Sequence, residues 1–354
     1  MGLLMLQLSK DFYKVADTVY TRQFEIDHKL ESEYGEYRRK KMYEDILYNL
    51  SFLDIAERLD DELLFKNYAI WLYQLMVRLM KDLTPSRVKE QMIVHYTLLK
   101  EALRNVFDEA LYLSYEKHLN IAIEATKSAS DSIQDTAFSH GTFYEARSIY
   151  LNLLMNGDAK AAITYIQGLY HQGYAIDDIF VEVLQEVMKE IGNLWHQAKV
   201  SVEQEHYMTS VTQIAISQFY SLIFETKRNG LKLLSCTVGS ELHEMGSRMV
   251  SDLFENHGWE GIYLGAALPA SQILNGIKRH NPDLVALSVT MPQHLIECKT
   301  IVELIRKEYP TVKIAVGGRA FQMTDAVWKK WNVDYCSKDA KEFIDWANAH
   351  FPRR

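Results

Sequence analysis

Two sets of residues have types and spacings that could do chemistry. The first is Glu241-Leu242-His243-Glu244-Met245-Gly246, which follows the apolar run LKLLSCTVG and the turn residues Gly239-Ser240. Imidazole transfers protons and is a common metal ligand. A loop at the carboxyl end of a strand is where open α/β sheets bind their ligands. The second set is Trp195, nine intervening residues, then Glu205-His206, with His196 directly after the tryptophan. Singly, a loop histidine reads as solvated, a tryptophan near a helix end as core, and Glu-His at a helix start as surface. Their meaning depends on the elements that carry them.

Those elements are marked by an uneven distribution of proline and glycine. Five of the six prolines (Pro269, Pro282, Pro292, Pro310, Pro352) fall in the last 86 residues, and Gly2 and Gly35 are the only glycines before residue 141. These residues punctuate chains between short elements, so the first part is long helices and the last third has many turns. Residues 1–130 read as an all-helical N-terminal domain, with Thr84-Pro85 as a helix start. The small polar stretch SASDSIQDTA, 128–137, reads as a linker. Residues 138–226 hold four helical segments with short connections, the pattern of a four-helix bundle. Residues 230–354 alternate the apolar runs LKLLSCTVG, WEGIYLG, DLVALSVT, VKIAVGG and VDYCS with helical stretches, TDAVWKKWN among them. This alternation predicts βαβ units and a flavodoxin-like, doubly wound parallel sheet. The fold class is therefore α/β plus all-α.

Composition excludes several classes. Apolar residues make up 48% and charged residues 24% of 354, the profile of a globular protein with more than one core. The net charge of -8 argues against a phosphate-binding surface over the whole chain. The basic run Arg38-Arg39-Lys40-Lys41 is balanced by Glu31, Glu33 and Glu36 and reads as a solvated helix face. Cys236, Cys298 and Cys336 are too few and scattered for a disulfide framework. No signal peptide or membrane-spanning run is expected.

The loop after the first strand resembles the cobalamin-binding domains of methionine synthase, the corrinoid carrier proteins and the mutases. That family uses Asp-x-His-x-x-Gly, then Ser-x-Leu, then Gly-Gly. Here Gly246 is followed by 41 residues, Ser288-Val289-Thr290, 26 residues, and Gly317-Gly318. The resemblance implies that His243 binds cobalt from below, and that Glu241 accepts its other ring N–H and sets the tautomer. It implies close helix packing at Gly246, a nucleotide-tail slot lined by Ser288 and Thr290, and room for that tail beside Gly317 and Gly318. Glu241 replaces aspartate and Thr290 replaces leucine. The competing reading is a response-regulator-like domain without a cofactor.

The bundle set resembles the cobalamin-dependent photoreceptors, the light-sensing repressors that use adenosylcobalamin. The resemblance implies that Trp195 covers the upper corrin face, that Glu205 and His206 hold the adenosyl group, and that His196 takes the upper cobalt position after light removes it. It covers residues 138–354. The helical N-terminal domain resembles that of the photocobilins in architecture only, which implies biliverdin as a second chromophore. His28, His95, Arg78 and Arg104 are candidate contributors there. The other reading of Tyr68, Trp71, Tyr73, Met76, Met80, Met92, His95 and Tyr96 is the core of a dimerisation or signalling domain.

The leading expectation is a cytoplasmic, cobalamin-dependent light sensor without a nucleic-acid domain. It is a homo-oligomer whose assembly, or contact with a downstream protein, changes with light. The alternative is a corrinoid carrier subunit serving a methyltransferase.

Overall fold

The computed structural model describes residues 8–131 and 137–352, so most of the expected linker's second half lies outside the described residues. Two compact units divide the chain. One takes the described residues up to 131 together with 291–296 and 320–327, and the other takes the remainder.

The first unit is built on five long helices: Lys10–Ile26, Glu36–Leu59, Glu62–Leu79, Pro85–Arg104 and Glu109–Ser128. Three of them start on a side-chain cap, where the Asp61, Thr84 and Asp108 oxygens accept from the N–H groups of Leu64, Arg87 and Leu111. The aromatic-rich stretch supplies its core. Tyr68, Tyr73 and Tyr96 are buried, and Phe52 stacks on Tyr68 with ring centroids 3.8 Å apart. In the basic run Arg39 pairs with Glu31, one of the three expected carboxylates, whereas Arg38 holds Asp82 and Lys41 holds Glu44. Among the candidate bilin contacts, Arg78 donates to the Asp131 carbonyl and Arg104 lies over the Tyr112 ring. His95 is pushed down to about 4 by burial, with Nδ1 3.2 Å from Gln23 Oε1.

The second unit joins the bundle and the sheet. Its bundle helices are Tyr144–Met155, Ala159–His171, a third running from Ile176 to His196, and Val202–Ser217. The third contains a π-helical stretch, Ile179–Gln185. The first bundle helix ends at Asn156, and Gly157 takes the left-handed conformation, φ +74°, that closes it.

Five strands follow: β1 Lys232–Thr237, β2 Glu260–Tyr263, β3 Leu284–Ser288, β4 Lys313–Gly317 and β5 Tyr335–Ser337. They are all parallel in the order β2-β1-β3-β4-β5, the flavodoxin-like topology. The order reverses between β1 and β3, which is where such sheets bind ligands. Leu233, Ala286, Ala315 and Tyr335 belong to one hydrophobic cluster with Phe254, Phe343, Phe180 and Phe219, so one sheet face and the bundle share a core. The bundle is also tied by charge at the start of its third helix. Asp177 accepts from His257 Nε2 (2.6 Å) and Asn256 Nδ2 (2.9 Å), and Lys341 bridges Asp178 and Glu182.

One expected helix is absent. TDAVWKKWN forms only a short 3₁₀ turn, Val327–Lys330. Ala326 takes φ +51°, and the Asp325 N–H donates to the Asp61 carboxylate instead of a helical carbonyl. Among the described residues, no helix is long and apolar enough to cross a membrane.

Burial pushes the Asp45 carboxyl in the first unit up to about 7. The folded state therefore binds this proton more tightly than the unfolded chain, and stability falls as pH rises from about 4 to 7. Asp45→Asn should raise the melting temperature, with a gain that grows over that interval and then levels off. Thermal melts of both proteins at pH 5 and pH 8 check this.

Candidate functional site

The chain leaves β1 through Gly239, whose φ of +82° suits glycine, and places Glu241 at the switch point. The Glu241 side chain is only 1% exposed. One carboxylate oxygen, Oε2, lies 3.0 Å from His243 Nδ1, and the other, Oε1, accepts the Thr290 N–H at 2.8 Å. A carboxylate accepts only, so Nδ1 must carry the ring proton. Nε2 then keeps its lone pair, on an imidazole whose side chain is 59% exposed. One carboxylate thus serves both donors. In a neutral ring this contact fixes the tautomer, with the lone pair on Nε2.

The other stations sit on the neighbouring strand ends. Thr237, Ser288, Gly317 and Ser337 occupy one level across β1, β3, β4 and β5. Gly318 has φ +98°, and a Cβ there would lie 2.3 Å from the Val289 carbonyl oxygen. Glycine is thus required by the adjacent strand's backbone, whereas room for a ligand was the expected reason. At Gly246 an added Cβ would meet nothing within 4 Å. The close helix packing expected there does not come from the protein's own atoms. Sequence reasoning missed Thr237, which is fully buried with no partner for its hydroxyl. Its signal, a hydroxyl residue at the carboxyl end of a largely apolar strand, was present in LKLLSCTVG.

The bundle residues gather at one turn. Trp195 and His196 end the third helix, Glu205 and His206 stand in the first turns of the fourth, and the link between them uses Ala198 at φ +53°. Trp195 is half-buried. Glu205 accepts from Thr209 Oγ1 at 2.9 Å, and His206 is exposed with Nε2 3.6 Å from Glu205. His196 is 7% exposed. An imidazole packed in the last helical turn must leave that position before it can meet a metal, a constraint the motif did not show. Burial holds the thiols protonated, raising Cys236 to about 12 and Cys336 to about 11, so they are poor nucleophiles.

Among the described residues, no group of three or more His, Cys, Asp or Glu could hold a bare metal ion. His243 instead suits a metal whose remaining ligands come with an organic cofactor. Three features fit such a group: the oriented Nε2, the open space at Gly246 and the orphaned Thr237 hydroxyl.

Comparison with known proteins defines that cofactor class. Residues 231–342 match a B12 binding domain, and residues 148–219 match a second B12 binding domain. These two segments contain all eleven site residues named from the sequence. The chain is 28% identical over 122 residues to dimethylamine corrinoid protein 2 of Methanosarcina acetivorans, covering 34% of this chain and 55% of that protein. It is 23% identical over 172 residues to dimethylamine corrinoid protein 1 of the same organism, covering 47% and 79%. The chain thus spans little more than half the length of the first relative. The fold is similar to that of Methanosarcina barkeri monomethylamine corrinoid protein, with a TM-score of 0.53 and 16% identity over 59% of this chain and 100% of that one. Together these matches support a cobalamin-binding protein with a helical bundle and a Rossmann-like B12 domain; they do not single out the photoreceptors.

Gly318→Ala should cost about 2 kcal/mol or more, because both its φ and its contact with Val289 exclude a methyl group. A clearly lowered melting temperature, beside a smaller change for Gly246→Ala, is the expected result.

Proposed function

We propose that this chain carries a corrinoid for methyl transfer, holding cobalamin at the β1/β3 switch point and presenting its upper face to a partner methyltransferase. The observation that carries the cofactor in this reading is the buried Glu241 carboxylate, which orients His243 with Nε2 available as a lower cobalt ligand. When bound, cobalamin supplies a cobalt centre whose upper position accepts and releases an alkyl group. The chain's residues bind and orient it. His243 holds the lower face, Glu241 sets the ligand's tautomer and basicity, and Ser288, Thr290, Gly246, Gly317 and Gly318 border the nucleotide tail. The corrinoid proteins similar to this chain support the carrier role.

A second reading is favoured by one specific feature, the Trp195…Glu205-His206 set at the bundle turn. In a light sensor Trp195 would cover adenosylcobalamin, Glu205 and His206 would contact the adenosyl group, and His196 would ligate cobalt after photolysis. The N-terminal helices would then be the place for biliverdin, read out as red absorbance after co-expression with a biliverdin source.

His243→Ala should lose cobalamin on gel filtration while keeping its fold; unchanged retention removes His243 as the ligand. Glu241→Gln, with one acceptor oxygen for two donors, should weaken retention about tenfold. The two readings separate on assembly. A carrier loaded with adenosylcobalamin keeps the same oligomeric state in darkness and green light. A light-dependent shift in size-exclusion volume, lost in Trp195→Ala, would establish the sensor instead.

A further inference from the structure

Glu241 holds the ring of His243, but the backbone that carries the ring has an anchor of its own. The Glu244 N–H donates to the Leu242 carbonyl at 2.8 Å, so His243 is the central residue of a tight turn closed by a single bond. Leu242 and His243 are both exposed. One such bond contributes about 1 kcal/mol net, too little to hold an exposed loop still.

Glu244 supplies what the turn lacks. It is the N-cap residue of the helix Met245–Asn256, where a side-chain oxygen ordinarily accepts from an N–H of the first turn. Its carboxylate makes no such bond. It accepts instead from Tyr263, whose phenol oxygen lies 2.9 Å from Glu244 Oε2 and 3.4 Å from the Glu244 carbonyl oxygen. Tyr263 is the last residue of β2 and pairs in register with Ser235 of β1. Its ring is supported in turn. The Arg248 guanidinium lies 6.0 Å from the Tyr263 ring centre and 5.7 Å from that of Tyr220, and Arg248 Nε donates to the Tyr220 hydroxyl at 2.9 Å. Phenylalanine would keep this ring and its cation, so the hydroxyl is what the loop uses. The loop is thus tied on both sides of β1. Glu241 links the ring to the Thr290 N–H after β3, and Tyr263 links the backbone after the ring to the end of β2.

Resting on the cobalamin reading above, we propose that Tyr263 is a positioning residue for the lower cobalt ligand. It acts through Glu244: holding that residue fixes the turn that presents His243. This sets the fraction of bound corrinoid whose cobalt carries the protein's imidazole. A group loses conformational freedom when it binds, and one held in place beforehand loses less. Glu241 decides which nitrogen is offered, and Tyr263 decides where it is offered.

The test uses the full chain, its histidines labelled with the heavy nitrogen isotope, saturated with cob(II)alamin. In electron paramagnetic resonance an axial nitrogen splits the cobalt lines. The common isotope gives triplets and the heavy one gives doublets, so doublets report the protein's imidazole and triplets the cofactor's own base. The ratio of doublet signal to the remainder should fall about tenfold in Tyr263→Phe and in Glu244→Ala. The double variant should fall no further than either single one, because both residues act through one bond. Glu244→Gln keeps an acceptor for the phenol and should stay within about threefold of wild type. An unchanged ratio in Tyr263→Phe, or losses that add in the double variant, overturns the proposal alone. A wild-type chain without doublets, or a His243→Ala chain that keeps them, overturns the lower-ligand reading with it.

Discussion

A carboxylate with 1% exposure survives in a protein interior only if donors surround it. Glu241 finds two, the His243 ring and the Thr290 N–H, and these lie 47 residues apart in sequence. Only a sheet with β1 beside β3 brings them to one carboxylate. The strand order, the crossover through β2 and the turn at Gly239 are therefore conditions for the ligand's orientation. Through its two oxygens Glu241 ties the imidazole to the end of β3.

The remainder of the second unit is arranged around that point. One sheet face shares its core with the bundle, through Ala286, Ala315, Phe254 and Phe180. The charged ties at Asp177, Asp178 and Glu182 sit at the start of the third bundle helix, whereas Trp195 and His196 sit at its end.

Much of this was legible in the chain. The central strands β3 and β4 appear as apolar runs because a strand covered on both faces has no polar side, whereas the edge strands β2 and β5 are only half-buried. The site motif was legible because its stations are strand ends, whose spacing the βαβ unit fixes. What escaped depended on contacts between distant segments. TDAVWKKWN has a helical pattern, yet Asp61 claims the N–H of Asp325. Gly318 is imposed by the Val289 backbone, and Gly246 is not imposed by any protein atom. The burial of His196 follows from how the last turn of its helix packs, which spacing to Trp195 does not encode. An orphaned hydroxyl such as that of Thr237 becomes visible only when every neighbour has been placed.

The lower and upper halves of the site carry different information. On the proposed reading, Glu241 and the β3 end set the imidazole that would hold the cofactor. The surroundings of His243 bear on the cofactor and not on its use. The use would be decided at the other half of the site, for which the sequence offers the turn between Trp195 and Glu205. Corrinoid carriers and light sensors need opposite things from that turn: a carrier must uncover the cobalt for a partner enzyme, whereas a sensor must keep its alkyl group covered until the bond breaks. Trp195 and Glu205 are half-buried there, and His206 is exposed. The discriminating physics is thus the packing of one aromatic ring on the bundle, while the identity of the cofactor rests on one carboxylate in the sheet.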